Sequence, residues 1–308
     1  MAENQAVPAA VVPQNFPAVG QPQNPIWRAF KKEAPIGACK LTVADLKRLY
    51  QILNARQVEL RERMVNILAQ QPNETAETFA QRRIVVYNSY VTGVVLNGTN
   101  GEVISGDGDH VFDDHFVQTR IASVTIDTSF APKARINFTP PDIGYVHLDF
   151  SRPPLLNFAS FPTVPTPNAS NWSVNAQNEA WSIALSTRLQ EFFAEKSTKV
   201  NWLHGPATYD TLITFVGWPF ALWGSLKLGN LINANHNVPS AIRTAVYVFA
   251  FLLSLNIFRA LLSYSRWVFP KIELESTTSR QGLHRFIWAT LTLGVAGSAI
   301  WDGLKAIL

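Results

Sequence analysis

The hydrophobic positions of this chain are concentrated in three long runs in the last third of the sequence. The runs are Leu212–Ile232, Ala245–Tyr264 and Phe286–Leu304, and short polar stretches separate them. A helix needs roughly 20 mostly apolar residues to cross the hydrocarbon core of a bilayer. Each run comes close to this length. The pattern therefore predicts an all-α membrane domain of three transmembrane helices over residues 211–308.

A seven-residue apolar pattern predicts a long amphipathic helix over residues 42–71, which Thr42 is placed to cap. The apolar positions at this spacing are Leu46, Leu53, Leu60 and Ile67. Two interpretations are open: the helix packs on its own domain, or it forms a coiled coil with a second copy. Arg56 and Arg63 fall on the second seam position, and a dimer would have to accommodate them.

Between residues 84 and 150 the pattern changes to short β-rich segments, separated by turns that contain Gly, Pro or Asn. The segments predicted as strands are Ile84–Leu96, Glu102–Ser105, Arg120–Thr128, Arg135–Phe138 and Tyr145–Phe150. Asn97–Gly101 is a strong hairpin-turn signal between the first two. These segments predict a mainly antiparallel sheet.

A second soluble helix is predicted over Gln177–Glu195, after a proline- and asparagine-rich connection at Pro153–Asn175. Its apolar positions recur at helical spacing, at Trp181, Leu185, Leu189 and Phe192. An antiparallel sheet covered by two helices is the natural two-layer arrangement of these elements. We therefore expect residues 26–200 to form a soluble α+β head.

The composition of the N-terminus, the net charge and the cysteine count exclude several classes of protein. Residues 1–25 are rich in Pro, Gln and Asn without a continuous apolar stretch, which predicts a disordered arm and not a signal peptide. The net charge of +4 is mild, and no dense basic stripe favours nucleic-acid binding. Cys39 is the single cysteine, so the chain has no intramolecular disulfide.

Loop charges predict the orientation of the three runs. The stretch between the second and third runs carries Arg266, Lys271, Arg280 and Arg285, whereas only Lys227 and Arg243 flank the preceding loop. By the positive-inside rule the former stretch and the head lie in the cytoplasm, and the C-terminus lies on the opposite side. Five Asn-X-Ser/Thr matches to the glycosylation pattern are expected by chance in an asparagine-rich chain.

One segment of the head is dense in groups that bind divalent cations. The candidate ligands are Asp107, Asp109, His110, Asp113, Asp114 and His115. A solvated acidic turn is the alternative interpretation, because the spacing fits neither an EF-hand loop nor the HExxH pattern. His147, Asp149 and Arg152 form a second polar group, which an exposed sheet face explains equally well.

The predicted membrane domain carries its own candidate positions. Asn256 and Arg259 are polar residues of the second run and are expected to face a helix bundle. Gly294 and Ser298, four residues apart in the third run, permit close helix approach. The aromatic residues expected at the membrane interface are Trp202, Tyr209, Trp267 and Trp301, with residues 201–210 as an interfacial linker.

The sequence contains no Walker A loop, GxGxxG fingerprint, GxSxG elbow or CxxC pair. The leading hypothesis is a multi-pass membrane protein whose cytoplasmic head is a sensor or interaction module coupled to a helical bundle. An oligomerising membrane effector is one version of it. The expected partners are the lipid bilayer and a second copy, through residues 42–71 and the membrane helices. The alternative is a membrane-bound enzyme that uses residues 107–115 with a divalent metal.

Overall fold

The computed structural model describes residues 29–113, 121–153, 166, 168–233, 239–275 and 281–307. The predicted arm at residues 1–25 lies outside these ranges, as do Asp114 and His115. The strands are β1 (Phe30–Pro35), β2 (Cys39–Leu41), β3 (Gly93–Gly98), β4 (Val103–Gly106), β5 (Ile121–Asp127), β6 (Ile143–Asp149), β7 (Asn171–Ala176) and β8 (Ile272–Leu274). The helices are α1 (Val43–Ile67), α2 (Ala76–Ser89), α3 (Phe130–Ile136), α4 (Glu179–Glu195), α5 (Pro206–Leu212), α6 (Trp218–Asn233), α7 (Ser240–Val268) and α8 (Gln281–Ile307).

The head is built on a six-stranded sheet in the order β1-β7-β6-β5-β3-β4, and every neighbouring pair is antiparallel. Alternation along each strand sends apolar side chains to one face. In β6, for example, Val146 and Leu148 are buried while His147 and Asp149 lie on the opposite face. The sheet with its helices confirms the predicted α+β character of the head.

Two helices, α1 and α4, cover the apolar face of the sheet. Thr42 caps α1 in a full capping box, with its hydroxyl oxygen 3.1 Å from the backbone nitrogen of Asp45. The seam residues Leu46, Leu53 and Leu60 are fully buried within the head. This agrees with the interpretation in which the helix packs on its own domain, because these side chains are not available to a second copy.

The predicted strand Ile84–Leu96 is correct only from Gly93, where β3 begins, and the predicted strand Arg135–Phe138 is wrong. Residues 84–89 belong to α2, which Thr75 caps by accepting a hydrogen bond from the backbone of Thr78 at 3.2 Å. Val86 packs with Leu60 of α1 in a small second core, so the tertiary context overrides the strand preference of the β-branched residues. Arg135 and Ile136 form the last turn of α3, and Asn137 ends it in the left-handed conformation, with φ of 49°. Strands β1 and β7 were not predicted.

The first apolar run is helical but interrupted. A π turn at Ile213–Gly217 separates α5 from α6, and the backbone N–H of Trp218 donates to the carbonyl of Ile213, five residues earlier. Pro219 follows directly and has no N–H to donate, which accounts for the irregularity. The α-helical pieces on either side span 7 and 16 residues, so neither alone is long enough for a membrane crossing, but the π turn joins them into one continuous helical path.

Among the described helices, α7 alone is long and apolar enough to cross a membrane. It has 29 residues, and only 17% of its most apolar window is buried. Helix α8 has 27 residues, but the part of the chain that the structure describes offers no second helix that is apolar enough over a sufficient length. By length and composition the fold supports one candidate span, so the three-helix membrane domain is not confirmed.

Helices α6 and α7 form an antiparallel hairpin held by small residues. The side of α6 and its π turn that faces α7 repeats every four residues and is buried: Gly217, Ala221, Ser225 and Gly229. A Cβ atom at Gly217 would lie 2.8 Å from the Phe258 ring of α7, and one at Gly229 would overlap Tyr247. Small residues at this spacing let helix backbones approach closely, as in membrane helix pairs.

Candidate functional site at the head–helix junction

A strand between α7 and α8 joins the helices to the head. Strand β8 pairs in parallel with β2, with Cys39 opposite Ile272 and Leu41 opposite Leu274. The amide of Cys39 donates to the carbonyl of Lys271 at 2.9 Å. Ile272 is 1% exposed and belongs to the main hydrophobic core of the head. The connection between the two helices is therefore part of the folded head.

The single cysteine lies inside this connection. Cys39 is buried and also forms an isolated bridge to Ser197 at the end of α4. Burial raises the pKa of its thiol to about 12. Since the thiolate is the reactive form, the burial of Cys39 and its raised pKa favour a structural role for this side chain.

Cations and aromatic rings surround the strand pair. Its charged and imidazole side chains, called here the junction cluster, are Arg152, His204, Arg266, Lys271, Glu273, His284 and Arg285. The guanidinium of Arg285 is 2.6 Å from Glu273 and lies over the Phe269 ring at 5.4 Å. Arg152 lies over Trp267 at 4.9 Å. Trp267 in turn contacts the ring of His284, with centroids 4.9 Å apart.

His204 is the most buried imidazole of the junction cluster. Its Nδ1 lies 3.1 Å from the hydroxyl of Thr166, at the point where the head meets the first helical segment. Burial lowers the pKa of His204 to about 4, with smaller contributions in the same direction from Arg266 and Lys271. The backbone of Phe269 partly offsets them. The imidazole is neutral at physiological pH.

An apolar groove of about 620 Å³ opens beside the junction. All three helical segments contribute to its walls, through Phe215, Phe220, Phe258, Leu262, Trp288 and Leu291. The Trp288 indole N–H donates to Ser265 Oγ at 2.6 Å, and Ser265 Oγ donates to the Leu261 carbonyl at 2.7 Å. Thr292 likewise bonds to its own helix. These polar groups of the wall are satisfied by the protein itself, so the groove suits a hydrocarbon ligand.

Two of the described carboxylates of the acidic segment pair with separate cations. Asp107 pairs with Arg135 of α3, and Asp113 pairs with Lys47 of α1 at 2.6 Å. Asp109 and His110 begin a 3-10 turn at Asp109–Asp113. Among the residues that the structure describes, no group of three or more His, Cys, Asp or Glu side chains is placed to hold one ion. The described part of the segment thus resembles a set of surface ion pairs.

The second polar group of the head is divided between two places. His147 lies on the open face of the sheet, with Nδ1 at 2.9 Å from Thr125 Oγ1, and burial lowers its pKa. Asp149 accepts hydrogen bonds from the backbone of Ser151 and Ala169, so it organises a turn. Arg152 belongs to the junction cluster. The three residues do not form one site.

The candidate positions of the helices fall mostly on exposed surfaces of the single chain. Asn256 is exposed and donates to the carbonyl of Leu252 in its own helix at 3.0 Å, and Arg259 is half-buried. Gly294 and Ser298 are exposed, and a Cβ atom at Gly294 would meet nothing within 4 Å. Their role in packing between copies stays a prediction. The Gly217–Gly229 repeat was missed, although its four-residue spacing is visible in the sequence.

The predicted interfacial aromatic residues lie in different parts of the fold. Trp202 is exposed in the 3-10 turn Lys199–His204, and Trp267 packs in the junction. Trp301 is exposed near the far end of α8, with the Lys305 ammonium over its ring at 5.2 Å. Tyr209 falls in α5, and its side chain lies outside the described set.

No protein-family model, no curated protein and no solved structure matches this chain.

Proposed function

We propose that this chain is a multi-pass membrane protein whose cytoplasmic head senses a ligand or partner and is mechanically coupled to three membrane helices. The observation that carries the proposal is the pairing of β8 with β2. The strand connects α7 to α8, and its Ile272 is buried in the core of the head. A rearrangement of the head core would thereby displace the ends of both helices.

The outer surface of the helices supports their insertion in lipid. Phe215 is 74% exposed, Phe249 is 66% exposed and Leu293 is 73% exposed. Exposed apolar patches of this extent on a soluble monomer mark contact with a membrane or a partner. The small-residue packing of α6 on α7 supports the same environment, since such interfaces are typical of helices in bilayers.

The position of β8 also supports the orientation given by the loop charges. Because β8 is part of the head, the connection between α7 and α8 lies on the same side as the head. That connection carries the basic residues, which favour the cytoplasm. Three crossings then bring the C-terminus to the opposite side.

Self-association through α8 extends the proposal to an oligomerising membrane effector. Gly294, Gly297 and Ser298 are exposed on α8. A Cβ atom at either glycine would meet nothing within 4 Å of the same chain. A helix from a second copy could approach this surface closely.

Site-directed cysteine labelling tests the three crossings. In a Cys39→Ala background, single cysteines replace Glu102 in the head, Ser240 at the start of α7, Glu275 after β8, or Lys305 in α8. A membrane-impermeant thiol reagent is applied to sealed inside-out vesicles. We expect labelling at positions 102 and 275, and protection at positions 240 and 305 until detergent is added.

Each alternative arrangement gives its own labelling pattern. Labelling of all four cysteines without detergent would mean that the helices lie on the surface, and it would overturn the proposal. Protection at position 240 together with labelling at 305 would reduce the domain to a two-helix hairpin. Labelling of 102 from the outside of intact cells would reverse the orientation.

A further inference from the structure

We infer that the junction cluster and the adjoining apolar groove together bind one anionic phospholipid, with an acyl chain in the groove and the phosphate at the basic side chains. This inference rests on the proposed function, since it requires the helices to stand in a bilayer. It adds a defined ligand that membrane insertion alone does not imply.

The groove lies in the half of the helices next to the head. On α7 it extends over residues 258–265, and this helix ends at Val268, directly before β8. On α8 it extends over residues 288–292, and this helix begins at Gln281. In the proposed topology this half corresponds to the cytoplasmic leaflet, which carries the anionic lipids.

The cationic end and the apolar groove are continuous through two ring contacts. Trp288 lines the groove, and its ring meets the Phe269 ring edge-to-face at 5.4 Å. The Arg285 guanidinium lies over the same Phe269 ring, 5.4 Å from the ring centroid. Arg285 precedes Trp288 by three residues, about 4.5 Å along the helix axis. A lipid with its chain against Trp288 therefore has its phosphate within reach of Arg285.

The charge of the junction cluster complements an anionic headgroup. The cluster holds four basic side chains, Arg152, Arg266, Lys271 and Arg285, and one carboxylate, Glu273. Arg152 is exposed and Arg285 is partly exposed, so both can meet a phosphate. Arginine binds phosphate through paired N–H groups, and basic pockets between membrane helices on the cytoplasmic side recognise such headgroups.

The groove favours a lipid chain over a polar metabolite, because its wall is apolar and, among the described residues, offers no polar group that lacks a hydrogen-bond partner. Ser265, Trp288 and Thr292 already have hydrogen-bond partners within the protein. The volume of about 620 Å³ falls within the range of roughly 300–1,000 Å³ typical of ligand pockets. A flexible hydrocarbon fills such a site without leaving a polar group unpaired.

Photo-crosslinking in vesicles tests the inference. The full chain is reconstituted in phosphatidylcholine vesicles that contain a trace of phosphatidylglycerol with a diazirine in its acyl chain, and crosslinked residues are mapped by mass spectrometry. We expect crosslinks at residues 258–265 and 288–292. Phosphatidylcholine with the same diazirine should label these residues less.

Two variants and one matched control separate headgroup from chain recognition. Arg152→Gln/Arg285→Gln should lower phosphatidylglycerol crosslinking by about fivefold for each arginine, equivalent to about 1 kcal/mol each. Arg243→Gln removes a cation at the far end of α7 and should change nothing. Leu262→Trp should fill the groove and abolish crosslinking; if it fails to fold, judged by circular dichroism, the more exposed Leu291→Trp decides in its place.

Each result has one meaning. Equal labelling by the two lipids, or an equal loss with Arg243→Gln, would overturn the headgroup site and leave ordinary lipid contact. Competition by free glycerol phosphate would assign the cations to a soluble ligand and also overturn the inference. Failure of the chain to float with vesicles after alkaline washing would instead refute the proposed membrane function, and is recorded before crosslinking.

Discussion

The head and the helices bury opposite kinds of residue. In the head, large side chains such as Leu53 and Trp181 fill the core, while charged residues cover the outside. In the α6–α7 hairpin, Ala221 and Ser225 are buried and large side chains such as Leu222 and Leu226 face outward. The first pattern lowers free energy by removing apolar surface from water. The second cannot do so, because it leaves apolar surface exposed.

Under the proposed function, this difference means that the head folds in water and the helices fold in lipid. A helix pair that packs through small residues gains from close van der Waals contact, which is the main attraction available within lipid. Position by position, the same substitution should therefore have different consequences in the two regions.

The largest effect is expected from truncating a leucine in the head core. Leu53→Ala removes a fully buried side chain from the contact of α1 with the sheet, and should destabilise the head by about 2–5 kcal/mol. Leu222→Ala, on the exposed side of α6, should change stability by less than about 0.5 kcal/mol. Urea unfolding in detergent, followed by pulse proteolysis of the head, measures both. Similar losses in the two variants would mean that Leu222 is buried against a partner.

The elements of the head that carry strong local signals could be predicted from the sequence. The capping residues Thr42 and Asp45 fixed the start of α1, and Tyr145–Phe150 alternated clearly enough to place β6. Strand β1 could not be predicted, because FKKEAP has neither a β-rich composition nor a regular alternation. Strand β7 was missed although NWSVNA alternates polar and apolar residues, with Trp172, Val174 and Ala176 buried. The two segments become strands by pairing with each other across the chain, with Phe30 opposite Ala176.

The pairing of β8 with β2 at the junction could not be predicted either, because it also depends on a partner that is distant in sequence. Strand β8 has only three residues, and nothing local indicates that it pairs with Cys39–Leu41 more than two hundred positions earlier. The helix contact was different, because Gly217, Ala221, Ser225 and Gly229 show their four-residue spacing in the sequence. Gly294 and Ser298 have the same spacing, and sequence alone does not tell which of the two sets meets a neighbour.

An intermediate effect is expected from adding bulk to the hairpin contact. Gly229→Val places methyl groups against the Tyr247 ring and should weaken the hairpin by about 1–3 kcal/mol. Hydrogen–deuterium exchange in detergent should show faster exchange in α6 and α7. Gly294→Val is the control, because its side chain meets nothing within the chain. A change in particle size with Gly294→Val, at unchanged exchange, would identify α8 as the contact between copies.

The smallest effect is expected from pH at the boundary of the two regions. The folded pKa of His204, about 4, lies below its ordinary value of 6.5, so the unfolded state binds more protons between these values. The stability that His204 contributes is complete above pH 6.5 and is lost as the pH falls towards 4. The loss should be on the order of 1–2 kcal/mol at pH 5.

Thermal unfolding at pH 7 and pH 5 measures this dependence. The unfolding temperature of the wild-type chain should fall more on acidification than that of His204→Gln, which cannot take up the proton. His147→Gln, in the sheet away from the junction, is the matched control, and it should not alter protection of the junction in hydrogen exchange. Equal acid sensitivity of the wild type and His204→Gln would show that other groups are responsible.

The pairing of β2 with β8 also sets an order of events during synthesis. Strand β2 and helix α1 leave the ribosome early, but Ile272, which completes their core, follows only after α6 and α7 have been made. Until then the nascent head has an open position in its core, and β2 lacks its parallel partner. The head can therefore complete its core only after the first two apolar segments have been synthesised. A ribosome that stalls before residue 272 leaves an incomplete domain, which is a substrate for cellular quality control.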